Sequence, residues 1–160
     1  MREELLSVIE KNSRIDLKEL AIRLNASEVD VVRELENLEK ENIICGYHTL
    51  IDWEKASVEK VTALIEVKVT PQRGQGFDRI AERIYNYPEV KSVYLISGGF
   101  DLLVILEEKS LKDIACFVSE KLSALDSVIS TSSHFILKKY KDHGTIMAKK
   151  RPDERELVSP

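Results

Sequence analysis

The chain has 160 residues, of which 43% are hydrophobic and 32% charged, the composition of a soluble globular protein with one ordinary domain or two small ones. No apolar run approaches the roughly 18 residues of a membrane span, and the acidic residues 1–4 are unlike a signal peptide, so we predict a cytoplasmic protein without a membrane partner. The net charge of −4 does not by itself indicate a nucleic-acid-binding protein.

The first third of the chain has the periodicity of helices. Apolar residues recur at helical spacing in three segments; Asp16 is placed to cap the second helix and Ser27 the third, with a short turn at residues 25–26. A short strand, in the position of a wing, is predicted at residues 43–48. Three helices with a tight turn between the last two predict a helix-turn-helix domain over residues 1–50, although the apolar stripes alone fit any small helical bundle equally well.

A connector at residues 51–60 leads to a second domain, predicted over residues 61–140, where apolar and polar residues alternate as in strands. The predicted strands are residues 61–69, 90–97, 101–107 and 128–137, and the predicted helices are residues 77–84 and 111–122. This β-α-β-β-α-β order predicts a ferredoxin-like four-stranded antiparallel sheet with both helices on one face, hence an α+β fold class for the whole chain. The bare sheet face is expected to pair with another copy, giving at least a homodimer.

The last residues, 141–160, are predicted to form a polar basic tail. From Lys138 onward the chain holds seven basic and four acidic residues, a net of +3. A disordered solvated tail, a strand that clasps the partner subunit, and a contact to the DNA backbone all fit this composition.

In order and spacing, these segments resemble the Lrp/AsnC (feast/famine) family of transcription regulators, from about Leu5 to Tyr140. The helix-turn-helix residues that carry the resemblance are Asp16-Leu17-Lys18-Glu19-Leu20-Ala21, Leu24, Ser27, Val31, Arg33, Leu38-Glu39 and Ile43-Ile44-Cys45-Gly46-Tyr47. Those of the second domain are Gly98-Gly99-Phe100-Asp101-Leu102-Leu103, Val128, Thr131 and Ile136-Leu137. Ser130 departs from the family, which often has an arginine there.

The resemblance implies a winged helix-turn-helix that binds double-stranded DNA, followed by a RAM (ACT-like) domain that assembles dimers and often octamers. It also implies a small effector, commonly an amino acid, bound between subunits. On this basis the chain is predicted to be an oligomeric, sequence-specific DNA-binding transcription regulator.

The predicted DNA-binding residues lie on the second and third helices and are Lys18, Arg23, Ser27, Arg33, Asn37 and Lys40. Arg33 and Lys40 are the strongest candidates, and Lys18 and Arg23 add contacts to the DNA backbone. Residues 1–50 nevertheless carry seven basic and eleven acidic residues, a net of −4. Because phosphate neutralisation supplies most non-specific affinity, one such domain is expected to bind DNA weakly and to rely on multivalency.

The predicted effector site is the turn at Gly98, Gly99 and Asp101. Two glycines leave backbone N–H groups accessible to a carboxylate, and Asp101 is placed to accept hydrogen bonds from an α-amino group. A tight hairpin turn that needs glycine for a positive φ, and binds nothing, explains the same residues.

Catalytic, cofactor and metal-binding motifs are not found in this sequence. Its three histidines lack metal-ligand spacing, and it has neither a phosphate-binding glycine loop nor a nucleophile elbow. We therefore predict no catalytic residues, no metal and no cofactor. Besides a regulator, two alternatives remain: a sensing protein whose helix-turn-helix no longer binds DNA, and an enzyme of the tetrapyrrole-processing type that shares this architecture.

Overall fold

The computed structural model describes residues 1–70 and 76–148, which form two compact units: residues 1–50 and the chain from Ile51 onward. No helix in these ranges is both long and apolar enough to cross a membrane. Residues 71–75, between the first predicted strand and the first predicted helix of the second domain, and residues 149–160 of the predicted tail lie outside the described ranges.

The first unit consists of three helices, which confirms that part of the prediction: α1 (Arg2–Lys11), α2 (Leu17–Leu24) and α3 (Glu28–Lys40). Their apolar faces meet in a small core formed by Leu5, Leu20, Ala21, Val31 and Leu38. At the surface, the Arg2 guanidinium lies 3.1 Å from Glu34 and 2.6 Å from Glu41, and so links α1 to the far end of α3.

Two N-caps and one left-handed residue fix both ends of α2 and the start of α3. The Asp16 carboxylate accepts hydrogen bonds from the N–H groups of Lys18 and Glu19, as an N-cap does. Asn25 then ends α2 with φ 49° and ψ 45°, a conformation that asparagine tolerates better than most residues. The Ser27 hydroxyl oxygen accepts from the N–H of Asp30 at 3.1 Å and so caps α3. Both predicted caps are confirmed.

The predicted wing strand at residues 43–48 is wrong, since those residues are not a strand in this subunit. The N–H groups of Ile43 and Ile44 instead donate to the carbonyl of Leu38 and complete the C-terminus of α3. The hydroxyl of Tyr47 donates to Glu39 at 2.7 Å, and this hydrogen bond raises the pKa of Tyr47. The segment therefore folds back on α3 rather than pairing as a strand.

The second unit confirms the β-α-β-β-α-β order and the four-stranded antiparallel sheet. Its elements are β1 (Val61–Val69), α4 (Asp78–Tyr85), β2 (Val90–Leu95), β3 (Leu102–Glu108), α5 (Leu111–Phe117) and β4 (Val128–Phe135). The strands lie in the order β2-β3-β1-β4, so the central pair is β3 and β1. One π-helical turn, Val118–Leu122, extends α5 and brings Val118 and Leu122 into the core.

In the described part of the chain, helices pack against only one of the two faces of the sheet. On one face, Ala63, Ile65 and Val67 of β1 are buried under α4 and α5, in one core with the alternate residues of β3. On the other face lie Leu64 and, on β3, Leu103 and Ile105, all half-buried with no helix over them. We call these three residues the helix-free patch.

Residues 141–146 form a hairpin, so disorder, one of the three alternatives for the polar basic tail, is wrong for them. β5 (Lys141–Asp142) pairs with β6 (Thr145–Ile146) through a turn at His143 and Gly144, both with positive φ. The N–H groups of Met147 and Ala148 then donate to the carbonyl of Tyr140. Backbone pairing and a glycine suited to the turn therefore order a segment whose side chains are polar.

Candidate nucleic-acid interface and effector site

One side of α3 is fully open to solvent. Val31 and Leu38 turn inward and are completely buried, while Arg33, Asn37 and Lys40 are exposed on the other side of the helix. At 100° per residue, these three positions lie within about 60° of the direction opposite Val31. The structure therefore places three of the six predicted DNA-binding residues on one exposed surface.

Several of the predicted basic contacts are paired with acids of their own helix. The Arg33 guanidinium lies 3.4 Å from Asp30, the Lys40 ammonium 3.7 Å from Glu36, and Arg23 2.6 Å from Glu19 on α2. All these pairs are exposed, so they are weak and cost little to break. Lys18, also exposed, has no acidic partner within the first unit, every residue of which the structure describes.

Ser27 has a structural role in addition to its predicted contact. Its hydroxyl donates to the Asp30 carboxylate at 2.6 Å while accepting from the Asp30 N–H. The single hydroxyl proton is therefore already used within the subunit. A phosphate oxygen requires a donor, so in this conformation Ser27 has none to offer.

Asp101 links the β2–β3 turn by hydrogen bonds to the C-terminal end of β1. One carboxylate oxygen accepts from the N–H of Val69 at 2.9 Å, and the Asp101 N–H donates to the carbonyl of Val67 at 3.1 Å. Among the described residues, the other carboxylate oxygen accepts no hydrogen bond. Asp101 thus has a structural bond and one oxygen left for an additional donor.

The two glycines of this turn are not required by backbone geometry. Neither has a positive φ, so the interpretation of a turn that needs glycine for that reason is wrong. A Cβ added at Gly99 would meet no atom within 4 Å, and one at Gly98 only the Ile96 side chain at 3.7 Å. Among the described residues, therefore, nothing explains why side chains are absent here.

An open groove of about 620 Å³ lies elsewhere in the second unit, beside Trp53 and Lys60. The Lys60 ammonium covers the Trp53 ring at 3.9 Å and also lies 3.5 Å from Glu107. Another of its lysines, Lys55, is paired with Asp52 at 2.7 Å, and this contact lowers the pKa of Asp52. In each of these two ion pairs the charges compensate one another.

Comparison with known proteins gives the family. The sequence profile of the Lrp/AsnC ligand binding domain matches residues 62–146. YugG, an uncharacterized HTH-type transcriptional regulator of Bacillus subtilis, is 50% identical over 98% of this chain and 95% of its own length. The chain belongs to the Lrp/AsnC family.

Other relatives agree with this assignment. The proline dehydrogenase transcriptional activator of Rhodobacter capsulatus is 30% identical over 77% of this chain and 79% of its own. A transcriptional regulator of Neisseria meningitidis, solved as a complex with L-methionine, superposes with a TM-score of 0.72 at 25% identity, covering 91% of this chain and 93% of its own. The function predicted from the sequence, a DNA-binding Lrp/AsnC transcription regulator and not an enzyme, is confirmed.

Two exposed aliphatic residues were missed by the sequence reasoning. Val29, in the first turn of α3, is 67% exposed, and Ile22, in the last turn of α2, is 73% exposed. The available signal was position: both fall outside the apolar stripes of their helices. Among the described residues of this Lrp/AsnC chain, no group of three or more His, Cys, Asp or Glu side chains is placed to hold a metal ion.

Proposed function

We propose that α2 and α3 form a helix-turn-helix that binds double-stranded DNA in the cytoplasm, with α3 lying in the major groove. The observation that carries the proposal is the exposed side of α3, where Arg33, Asn37 and Lys40 project opposite the buried Val31. Lys18 and Arg23 on α2 add contacts to phosphates. The short capped turn between the helices supports this geometry, and the proposed module works without a wing strand from its own subunit.

The test is a double substitution on α3 with a charge-matched control. Arg33→Ala with Lys40→Ala is expected to weaken binding to the DNA upstream of the protein's own gene by about 2 kcal/mol or more, roughly 30-fold. Lys11→Ala with Arg14→Ala removes the same charge outside α2 and α3, and should change affinity far less. Stability should be preserved in both, because all four side chains are exposed. Equal losses in the two variants would contradict a specific role for α3.

We further propose that the second unit is a ferredoxin-like RAM domain that forms homodimers through the helix-free patch. Leu64, Leu103 and Ile105 form an apolar strip along the two central strands, which helices cover only on the opposite face. Such a strip is the kind of surface that a second copy buries. Nearby, the His134 ring lies 3.3 Å from Glu66, so the strip has a polar margin.

The proposed effector is an amino acid bound at Gly98, Gly99 and Asp101. Support comes from the described residues, none of which requires the absence of side chains at Gly98 and Gly99, and none of which donates a hydrogen bond to the second carboxylate oxygen of Asp101. The oxygen can accept from an α-amino group, and open backbone N–H groups can hold the α-carboxylate. The L-methionine bound by the Neisseria meningitidis regulator supports this class of ligand.

Thermal-shift measurements with each of the twenty amino acids at millimolar concentration test this site. At least one is expected to raise the melting temperature of the wild type. Asp101→Asn can keep the hydrogen bond from Val69 through its amide oxygen, but it loses the negative charge that attracts an ammonium group. We expect that variant to fold and to lose the shift, whereas Asp101→Ala would also break the bond to Val69. If no amino acid shifts the wild type, the effector proposal is wrong.

A further inference from the structure

Val29 is an apolar residue that lies outside the core of the first unit. It is 67% exposed, while Val31, two residues later, is completely buried. A β-branched residue is also a poorer helix former than alanine, so helix stability does not explain it. A single exposed valine is ordinary on protein surfaces, so only its position on the helix can indicate a function.

That position is the leading end of the exposed side of α3. Val29 precedes Arg33 by four residues and Lys40 by eleven, so all three lie within about 40° of one line along the helix. Arg33 and Lys40 are the basic groups of the proposed DNA surface. The N-terminal residues of a recognition helix are the ones that reach base edges.

The neighbouring side chains make a phosphate contact by this turn unfavourable. Glu28 and Asp30 flank Val29, and both are acidic. The Asp30 carboxylate is held by the Ser27 hydroxyl at 2.6 Å and lies 3.4 Å from Arg33. A turn with two carboxylates is repelled by phosphates, whereas an apolar side chain between them is suited to a base edge.

The bulkiest apolar group that a base pair presents in the major groove is the C5-methyl of thymine. Val29 has no hydrogen-bonding group in its side chain, so the methyl is the feature of a base pair that it can recognise. We propose that Val29 is a specificity-determining residue that contacts a thymine methyl in each DNA half-site. This inference rests on the proposed helix-turn-helix, and it adds a base preference to it.

The experiment removes the methyl and the valine separately. Duplexes are first selected from a random library with the full-length wild-type protein, and each thymine is then replaced in turn by deoxyuridine, which lacks only the methyl. At one thymine per half-site, the replacement is expected to weaken wild-type binding about fourfold, the value of one buried methyl group. Val29→Ala loses the contact in both half-sites, so it should bind the thymine duplex about as weakly as the wild type binds a duplex in which both of these thymines are replaced, and it should be insensitive to either replacement.

Ile22→Ala is the matched control, since Ile22 is equally exposed but lies on α2. It should keep the wild-type response to deoxyuridine. Both substitutions introduce alanine at exposed helical positions, so folding should be preserved.

Each other outcome overturns the inference in a recognisable way. If the wild type binds its selected duplexes but ignores deoxyuridine everywhere, Val29 reads no methyl, and the proposed DNA surface still stands. If Val29→Ala responds to deoxyuridine as the wild type does, another residue makes the contact. If Val29→Ala instead changes the oligomeric state in the absence of DNA, Val29 contacts protein. If the wild type enriches no duplex at all, the proposed helix-turn-helix function fails together with this inference.

Discussion

Two residues that the sequence predicts to contact ligands have local structural roles in this protein. Ser27 and Asp101 were both predicted as ligand contacts, and both also hold backbone groups of their own subunit. Residue type gives the chemistry of such a side chain, but not how many of its hydrogen bonds are already used. Those depend on φ and ψ at the residue and on the segment opposite, which for Asp101 lies 32 positions away on β1.

The pair formed by Glu89 and Lys121 gives a pH-dependent prediction at this scale. The Lys121 ammonium donates to Glu89, lies 5.4 Å from the Tyr87 ring and 5.5 Å from the Phe117 ring, and lowers the pKa of Glu89 below its ordinary 4.5. A carboxyl whose pKa is lower in the folded state stabilises that state above the unfolded pKa. This contribution is lost as the pH falls through the folded value.

Replacing Lys121 by methionine should therefore flatten the loss of stability below about pH 4.5, because the pKa of Glu89 returns towards its unfolded value. The melting temperature of wild type and variant, followed from pH 6 to pH 3, measures this. Lys112→Met, at an exposed position of α5, is the control and should keep the wild-type slope. Identical slopes for all three proteins would mean that this pair does not link folding to protonation.

At the level of elements, the periodicity of apolar residues predicted the helices and strands that depend on interactions between residues close in sequence. The alternation along β1 and the caps at Asp16 and Ser27 are written in consecutive residues, and both were confirmed. The predicted wing strand was wrong because apolar β-forming residues at 43–44 do not specify a partner strand. Their N–H groups donate instead to the carbonyl of Leu38. The hairpin at residues 141–146 was missed because its side chains are mostly polar and give no alternating apolar pattern that would indicate backbone pairing.

Part of the candidate DNA-binding surface was also predictable from residues close in sequence. Basic residues on α3 are recognisable by charge, and their shared exposure follows from helical period. Val29 was overlooked because a valine suggests a core residue, although its position outside the apolar stripe of α3 indicated the exposure that the structure shows. The acidity of the same turn was visible in the sequence. The sequence did not show that the Asp30 carboxylate accepts a hydrogen bond from Ser27, or that Glu28 is unpaired within the first unit.

The first turn of α3 therefore yields a prediction about electrostatics. Glu28→Gln removes one free negative charge near the proposed DNA surface, and should raise non-specific affinity about twofold at low salt, less at high salt. The helix should lose a few tenths of a kcal/mol, since a carboxylate favours the positive end of the helix dipole. Binding to random-sequence duplexes by fluorescence anisotropy measures the effect, with Glu10→Gln on α1 as the control. A fall in affinity would show instead that Glu28 accepts hydrogen bonds from bases, such as cytosine amino groups.

At the scale of the whole molecule, we expect DNA binding to depend on assembly. The first unit has a net charge of −4, so the phosphate attraction available to one copy is small. Two linked copies bind the second half-site at high effective concentration, and can gain several powers of ten in affinity without a new contact. The helix-free patch, although it is on the other unit, should therefore control DNA affinity.

Ile105→Lys in the full-length chain tests this dependence. A lysine in the middle of the helix-free patch would place a charge in the proposed dimer interface, where it has no partner, whereas in a monomer its ammonium can reach water. We expect wild type to elute as a dimer or larger and Ile105→Lys as a folded monomer, by light scattering and circular dichroism. Operator affinity should then fall about 100-fold or more. Leu111→Lys, an exposed position at the start of α5, should change neither property. A monomer that binds DNA as tightly as wild type would refute multivalency, and an Ile105→Lys variant that still assembles would place the interface elsewhere.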